Sequence, residues 1–170
     1  MRSVDQVFEE LEAILREESG AHETLLALAQ DVNDAAGKGD LTALRSTTAL
    51  LDRQTACVGR LEEKRKACCG AIVKSLRLPE KSVRLSTLAD HAPARFRSVI
   101  AGLGARLKAT LSKIAAVNAG NRHLCEAGIR FAQGQLTIIL QSAAKYHNYR
   151  AGGCRCAGSL PIHPFINRTV

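Results

Sequence analysis

Few side chains in this 170-residue sequence have types and spacings that could perform chemistry. Cys154, Cys156 and His163 could ligate a metal, but a single residue separates the two cysteines, whereas paired zinc ligands usually have about two to four residues between them. His123 and Cys125 are a possible base and thiol nucleophile, yet residues two apart on a helix point to different sides. The sequence has no phosphate-binding loop, metalloprotease motif or nucleophile elbow. We therefore predict no enzymatic activity, no metal site and no cofactor.

The remaining carboxylates and thiols are interpreted as structural. The adjacent pairs Glu17–Glu18 and Glu62–Glu63 are expected on solvated helix faces, because neither pair forms a cleft for acid–base catalysis. Four cysteines fall inside helical patterns and are interpreted as small apolar residues with reduced thiols: Cys57, Cys68, Cys69 and Cys125.

Two features of the last predicted helix indicate recognition of a partner. Asn118 and Asn121 place two amides three residues apart on an otherwise apolar face. Such a pair either sets the register of helix pairing or marks a kink or a solvated seam. The second feature is the segment 129–140, whose apolar side chains lie on more than one side of the helix. Such a helix is either buried on all sides or binds a partner. Full burial is difficult in a thin bundle, so partner binding is the preferred interpretation.

A helical hairpin is predicted at the start of the chain. A heptad pattern from Val4 predicts a helix over residues 4–36, with Ser3 as its N-cap. A glycine-containing turn at 37–40 ends this helix, and Asp40 caps a second helix that is expected to stop near Arg77, before a proline. Because so short a turn joins two long helices, they must lie antiparallel.

A third long helix follows a connector. The connector has a short helical possibility at 86–91, and helical spacing resumes at Ala94 and continues to about Tyr146. The expected fold class is all-α: an antiparallel long-helix hairpin plus a third long helix, forming an elongated, coiled-coil-like three-helix bundle. We expect residues 1–150 to form a single elongated helical domain, and 151–170 to form a C-terminal tail that is mobile because it has no consistent period.

Composition supports an all-helical protein. Aromatic residues make up 4% of the chain and tryptophan is absent, which disfavours a sheet. No apolar run is long enough for a membrane span, and the N-terminal residues contain no apolar signal segment, so a cytoplasmic location is expected. The net charge of +8 is uneven: residues 1–36 carry nine acidic and two basic side chains, and residues 91–170 carry one acidic and eleven basic. An acidic helix packed against basic helices explains this asymmetry without nucleic acid.

Several short motifs, in their order and spacing, resemble one family. They are Gly39–Leu44, Leu61–Arg65, Val117–Leu124, Ala127, Phe131, Leu136 and Tyr149–Gly152. Over roughly residues 1–153 the chain resembles FlgN, the flagellar export chaperone of bacteria. The resemblance implies a cytoplasmic chaperone of the hook–filament junction proteins FlgK and FlgL, which binds their C-terminal helices, prevents premature assembly and delivers them to the export gate.

The resemblance also implies which residues bind. The substrate-binding residues would be Asn118, Asn121, Leu124, Phe131, Leu136, Ile138 and Ile139. Contact with the cytosolic domain of the export gate protein FlhA would use Tyr149, or alternatively Tyr146. The basic character of the chain and its tail depart from the family pattern.

Two other functions remain open from the residues alone. The heptads also fit a structural coiled-coil adaptor that forms homodimers, so self-association is a possible property of the chain. The basic C-terminal half is compatible with nucleic-acid binding, but its basic residues are spread around the helix without aromatic stacking platforms, so no nucleic acid is expected.

Overall fold

The computed structural model describes residues 3–79 and 84–147, with side chains in the last helix described as far as residue 142. The elements are α1 (Val4–Lys38), α2 (Leu41–Ser75), α3 (Leu85–Asp90) and α4 (Ala94–His147). The described residues contain no strand, which confirms the predicted all-α class with three long helices. The chain divides into two compact units, Met1–Cys125 and Glu126–Val170. The predicted boundary between domain and tail, at residue 150, lies outside the described residues and stays a prediction.

The ends of α1 follow the residues that the sequence marks. Ser3 accepts a hydrogen bond from the backbone N–H of Gln6, and the Gln6 side chain accepts one from Ser3, forming a capping box. At the other end Gly39 adopts a left-handed conformation with φ 68°, where a side chain would be strained. Asp40 then accepts hydrogen bonds from the backbone N–H groups of Thr42 and Ala43, which begins α2. The predicted hairpin is confirmed, although α1 ends at Lys38, two residues after the predicted end, so the turn is shorter than the predicted 37–40.

The end of α2 differs slightly from the prediction. The helix ends at Ser75, two residues before the predicted Arg77. Arg77 itself has φ 52°, the one non-glycine residue with positive φ among the described residues. The backbone N–H of Leu78 donates to the carbonyl of Val73 at 3.0 Å, a bond of the kind that closes a helix when the residue after its end is left-handed. Arginine occupies the position that glycine usually takes.

One hydrophobic core joins all four helices within the first unit. The Phe8 and Phe96 rings stack with centroids 6.2 Å apart, which brings α1 and the start of α4 together. The buried residues of this core are Val7, Phe8, Leu11 and Leu15 of α1; Cys68, Cys69, Ile72 and Val73 of α2; Leu88 and Ala89 of α3; Ala92 before α4; and Phe96, Ile100 and Leu103 of α4.

Within this unit α4 runs parallel to α1. Arg95 pairs with Asp5 at 3.0 Å, and Arg106 pairs with Glu23 through its guanidinium. The contacts therefore progress in the same direction along both helices. Each exposed pair contributes at most about 1 kcal/mol. Their importance is to show that basic groups of α4 face acidic groups of α1, as the charge asymmetry predicts.

Candidate partner-binding surface

A buried ion pair joins α1 to α2. Glu18 is 1% exposed, and its two carboxylate oxygens accept from Nε of Arg65 at 2.8 and 3.1 Å. The prediction that Glu18 lies on a solvated face is wrong, because the heptad register directs it inward, while Glu17 is exposed. One turn later, His22 is also buried, with Nδ1 2.9 Å from the carbonyl of Glu18. These groups are satisfied within the hairpin, so they offer no open site.

The cysteines are divided between core and surface. Cys68 and Cys69 are buried, as predicted for small apolar residues, whereas Cys125 is exposed. Burial raises the pKa of the Cys69 thiol, which keeps it protonated and a poor nucleophile. Among the described residues no three His, Cys, Asp or Glu side chains are grouped to hold a metal ion. The candidate ligands Cys154, Cys156 and His163 lie outside the described residues.

The amide of Asn121 belongs to the contact between α1 and α4. Asn33 Nδ2 donates to Asn121 Oδ1 at 2.7 Å, and Asn121 Nδ2 donates to the carbonyl of Ala29 at 3.0 Å. Asn121 thus sets the register of two helices, one of the roles that its sequence pattern allows. Its partner Asn33 was missed, because nothing in the local sequence links residues 88 positions apart.

The other two predicted binding residues of the first unit face solvent. Asn118 is exposed, although it lies only one turn before the half-buried Asn121. Leu124 is 37% exposed. A substrate-binding role for Asn118, Asn121 and Leu124 stays a prediction, and the Asn121 amide makes two hydrogen bonds within the chain.

The second unit presents apolar side chains to solvent. Every described side chain from residue 126 to 142 is exposed. Six large apolar residues there are 57–70% exposed: Ile129, Phe131, Leu136, Ile138, Ile139 and Leu140. Four of them belong to the predicted set, whereas Ile129 and Leu140 were left out of it. The predicted set follows the family resemblance, whereas the apolar pattern of 129–140 includes both residues. A patch of this kind on one helix is typical of an interaction site.

The apolar residues of this unit form two faces. At 3.6 residues per turn, Phe131 and Ile138 lie about 20° apart on the helix, and we name them the Phe131 face. Ile129, Leu136 and Leu140 span about 40°, and we name them the Leu136 face. The centres of the two faces are roughly 170° apart. The exposed segment is therefore apolar on two opposite sides.

The structure does not describe the side chains of the two tyrosines that are predicted to contact the export gate. Tyr146 belongs to the last turn of α4, where only the backbone is described, and Tyr149 lies outside the described residues. Both assignments stay predictions.

Fold and surface together define an all-α protein whose exposed apolar helix is suited to binding another protein. A comparison with protein-family models matches residues 1–154 to the FlgN protein family. The chain therefore belongs to the FlgN family, and membership implies a flagellar export chaperone. Searches of curated proteins and of solved structures found no match. No helix in the described part of the chain is long and apolar enough to cross a membrane.

Proposed function

We propose that this chain is a cytoplasmic chaperone that binds the C-terminal helices of the junction proteins FlgK and FlgL. It keeps them from assembling early and delivers them to the cytosolic domain of FlhA. The observation that carries the proposal is the group of six large apolar side chains exposed between residues 129 and 140. An amphipathic assembly helix of a secreted subunit presents a complementary apolar stripe, and covering that stripe blocks polymerisation.

Helix-to-helix contact suits a chaperone that must later release its substrate. Binding replaces the packing of the substrate helix in its assembly by packing against α4, and it requires no covalent step. An interface made of a few side chains on one helix has moderate affinity, so the complex can separate at the gate through a fast dissociation rate. The exposed segment contains a single charged residue between 127 and 142, Arg130, so we expect apolar packing to dominate the affinity.

The site residues proposed for this function are those that the resemblance implies. They are Asn118, Asn121, Leu124, Phe131, Leu136, Ile138 and Ile139, with Tyr149 or Tyr146 at the export gate. Phe131 and Ile138 are the best single targets, because both belong to one exposed face and neither contributes to the core of the first unit.

The test uses the purified chain and C-terminal helical segments of FlgK and FlgL from the same organism. Size-exclusion chromatography with light scattering should show a discrete complex. The double variant Phe131→Asp/Ile138→Asp should lose it, because two buried carboxylates without partners oppose binding. Thr137→Asp, which lies about 100–120° around the helix from the two targets and is also exposed, is the matched control and should bind normally.

The opposite outcome would support a different function. If the wild-type chain forms a tight dimer and no complex with either segment, the chain is a homodimerising coiled-coil adaptor. Circular dichroism of each variant confirms that helicity is retained, so that loss of binding reports on the surface.

A further inference from the structure

The two apolar faces of the second unit point away from each other. Phe131 and Leu136 lie about 140° apart around the helix, and Ile129 and Ile138 about 180° apart. All four side chains are exposed by more than half. A single partner helix packs on a stripe roughly 100° wide, so one helix cannot cover both faces.

The polar residues of the segment separate the faces on one side. Arg130, Thr137 and Gln141 lie within about 40° of one another and between the two faces, and Ile139 lies between the faces on the opposite side of the helix. Neither face contains a charged residue. The exposed apolar arc therefore runs over about 200° from Ile138 through Ile139 to Leu140, and a partner that covers it places uncharged surfaces against both faces and leaves the polar strip in water.

Each face alone is too small for a stable complex. Two or three side chains exposed by 57–70% leave roughly 200–300 Å² of apolar surface per face. Standard protein interfaces bury about 800 Å² on each partner. If both contacts belong to one partner chain, the second contact forms at an effective concentration near the millimolar range, and the overall affinity can exceed that of either face by about 10²–10⁴.

We propose that the 126–142 segment of α4 is held between two amphipathic helical segments of a single partner chain, one on the Phe131 face and one on the Leu136 face. The partner chemistry is a secreted subunit with two apolar-striped helices joined by a linker. This inference rests on the proposed function and specifies the kind of substrate region that the chaperone binds.

The experiment compares three aspartate variants of the full chain: Phe131→Asp, Leu136→Asp and the polar-strip control Thr137→Asp. The ligand probe is the C-terminal region of a junction protein containing at least two helices, with the last helix alone as a second probe. Titration calorimetry gives the affinity, and light scattering gives the stoichiometry. All three positions are exposed, so none of the substitutions disturbs the core.

We expect a one-to-one complex in which Phe131→Asp and Leu136→Asp each weaken binding of the two-helix probe by about tenfold or more, while Thr137→Asp does not. The last helix alone should bind more weakly and respond to only one of the two variants. Since neither face is charged, the affinity should change little between about 50 and 200 mM salt, unlike a nucleic-acid contact.

Three results would overturn the proposal. If Leu136→Asp binds like the wild type while Phe131→Asp loses binding, only one face binds substrate. The proposed function then stands, but binding of two partner helices is ruled out. If the complex contains two copies of each chain, the second face is covered by a second copy and not by a second helix of the same partner chain. If the wild type binds neither probe, the proposed function fails as well.

Discussion

At the residue scale, the pairing of Glu18 with Arg65 shows how a glutamate expected on a solvated face is buried between α1 and α2. Glu18 occupies a heptad position between Ile14 and Ala21, where an apolar residue is usual. The chain places it inside because Arg65, 22% exposed, reaches it from α2 while keeping part of its side chain in water. A buried charge is tolerated only with such a partner.

Removal of one member of this pair should therefore cost more than removal of both. We expect Arg65→Met to lower the free energy of unfolding by about 2–4 kcal/mol, because the buried Glu18 carboxylate is left without its partner. Glu18→Met/Arg65→Met should recover most of that loss. Urea unfolding of the wild type and the two variants measures both values. A double variant less stable than Arg65→Met would contradict this account.

The same residue-scale comparison shows what the sequence can and cannot predict about the site. Exposure of Phe131 and Ile138 follows from local spacing, because the segment is apolar on too many sides for a thin bundle to bury. The hydrogen bonds of Asn121 do not follow from local spacing, since Asn33 and the carbonyl of Ala29 reach it only through packing of α1 against α4. Local pattern locates a surface, whereas long-range packing decides which polar residues remain available on it.

At the element scale, the two exits from the hairpin helices use the same backbone conformation with different residues. Gly39 has φ 68° after α1, and Arg77 has φ 52° after α2. Sequence reasoning predicted the first because glycine marks such positions. It placed the end of α2 two residues too late, because an arginine with positive φ has no recognisable sequence signal. Only Pro79 indicated that the helix ends nearby.

Opposite substitutions at these two positions should have opposite effects. Arg77→Gly should raise the free energy of unfolding by about 0.5–1 kcal/mol, because it removes the steric cost of a side chain at positive φ. Gly39→Ala should lower it by about 1 kcal/mol for the same reason. Thermal or urea unfolding provides the measurement, with Arg77→Ala as the control that removes the arginine and keeps the strain. Equal stability of Arg77→Gly and Arg77→Ala would argue against this assignment.

At the scale of the whole molecule, burial divides the chain into a stabilised part and an exposed part. The core contains residues of all four helices, and Leu103 is its last member along α4. Among the described side chains of α4, the last buried one is Ile114. Residues 126–142 have no buried side chain. Local stability follows buried apolar contact, and an isolated helix of this length is marginal in water.

Hydrogen–deuterium exchange should reproduce this division. We expect backbone amides of residues 96–114 to exchange slowly and those of 126–142 to exchange much faster in the chain alone. Addition of a two-helix substrate segment should protect 126–142 and leave 96–114 nearly unchanged. Strong protection of 126–142 in the absence of substrate would mean that self-association already covers this segment.

The stacking of Phe8 on Phe96 has a consequence for biosynthesis. The two rings that join α1 to α4 lie 88 positions apart in a chain made from its N-terminus. At about 5–20 residues per second, the ribosome adds the second ring roughly 4–18 seconds after the first. α2 ends at Ser75, 21 positions before Phe96, so for roughly 1–4 seconds of that interval the complete α1–α2 hairpin has no α4 to cover its apolar side. The protein thus passes through an early stage in which it presents the kind of uncovered helical surface that chaperones bind.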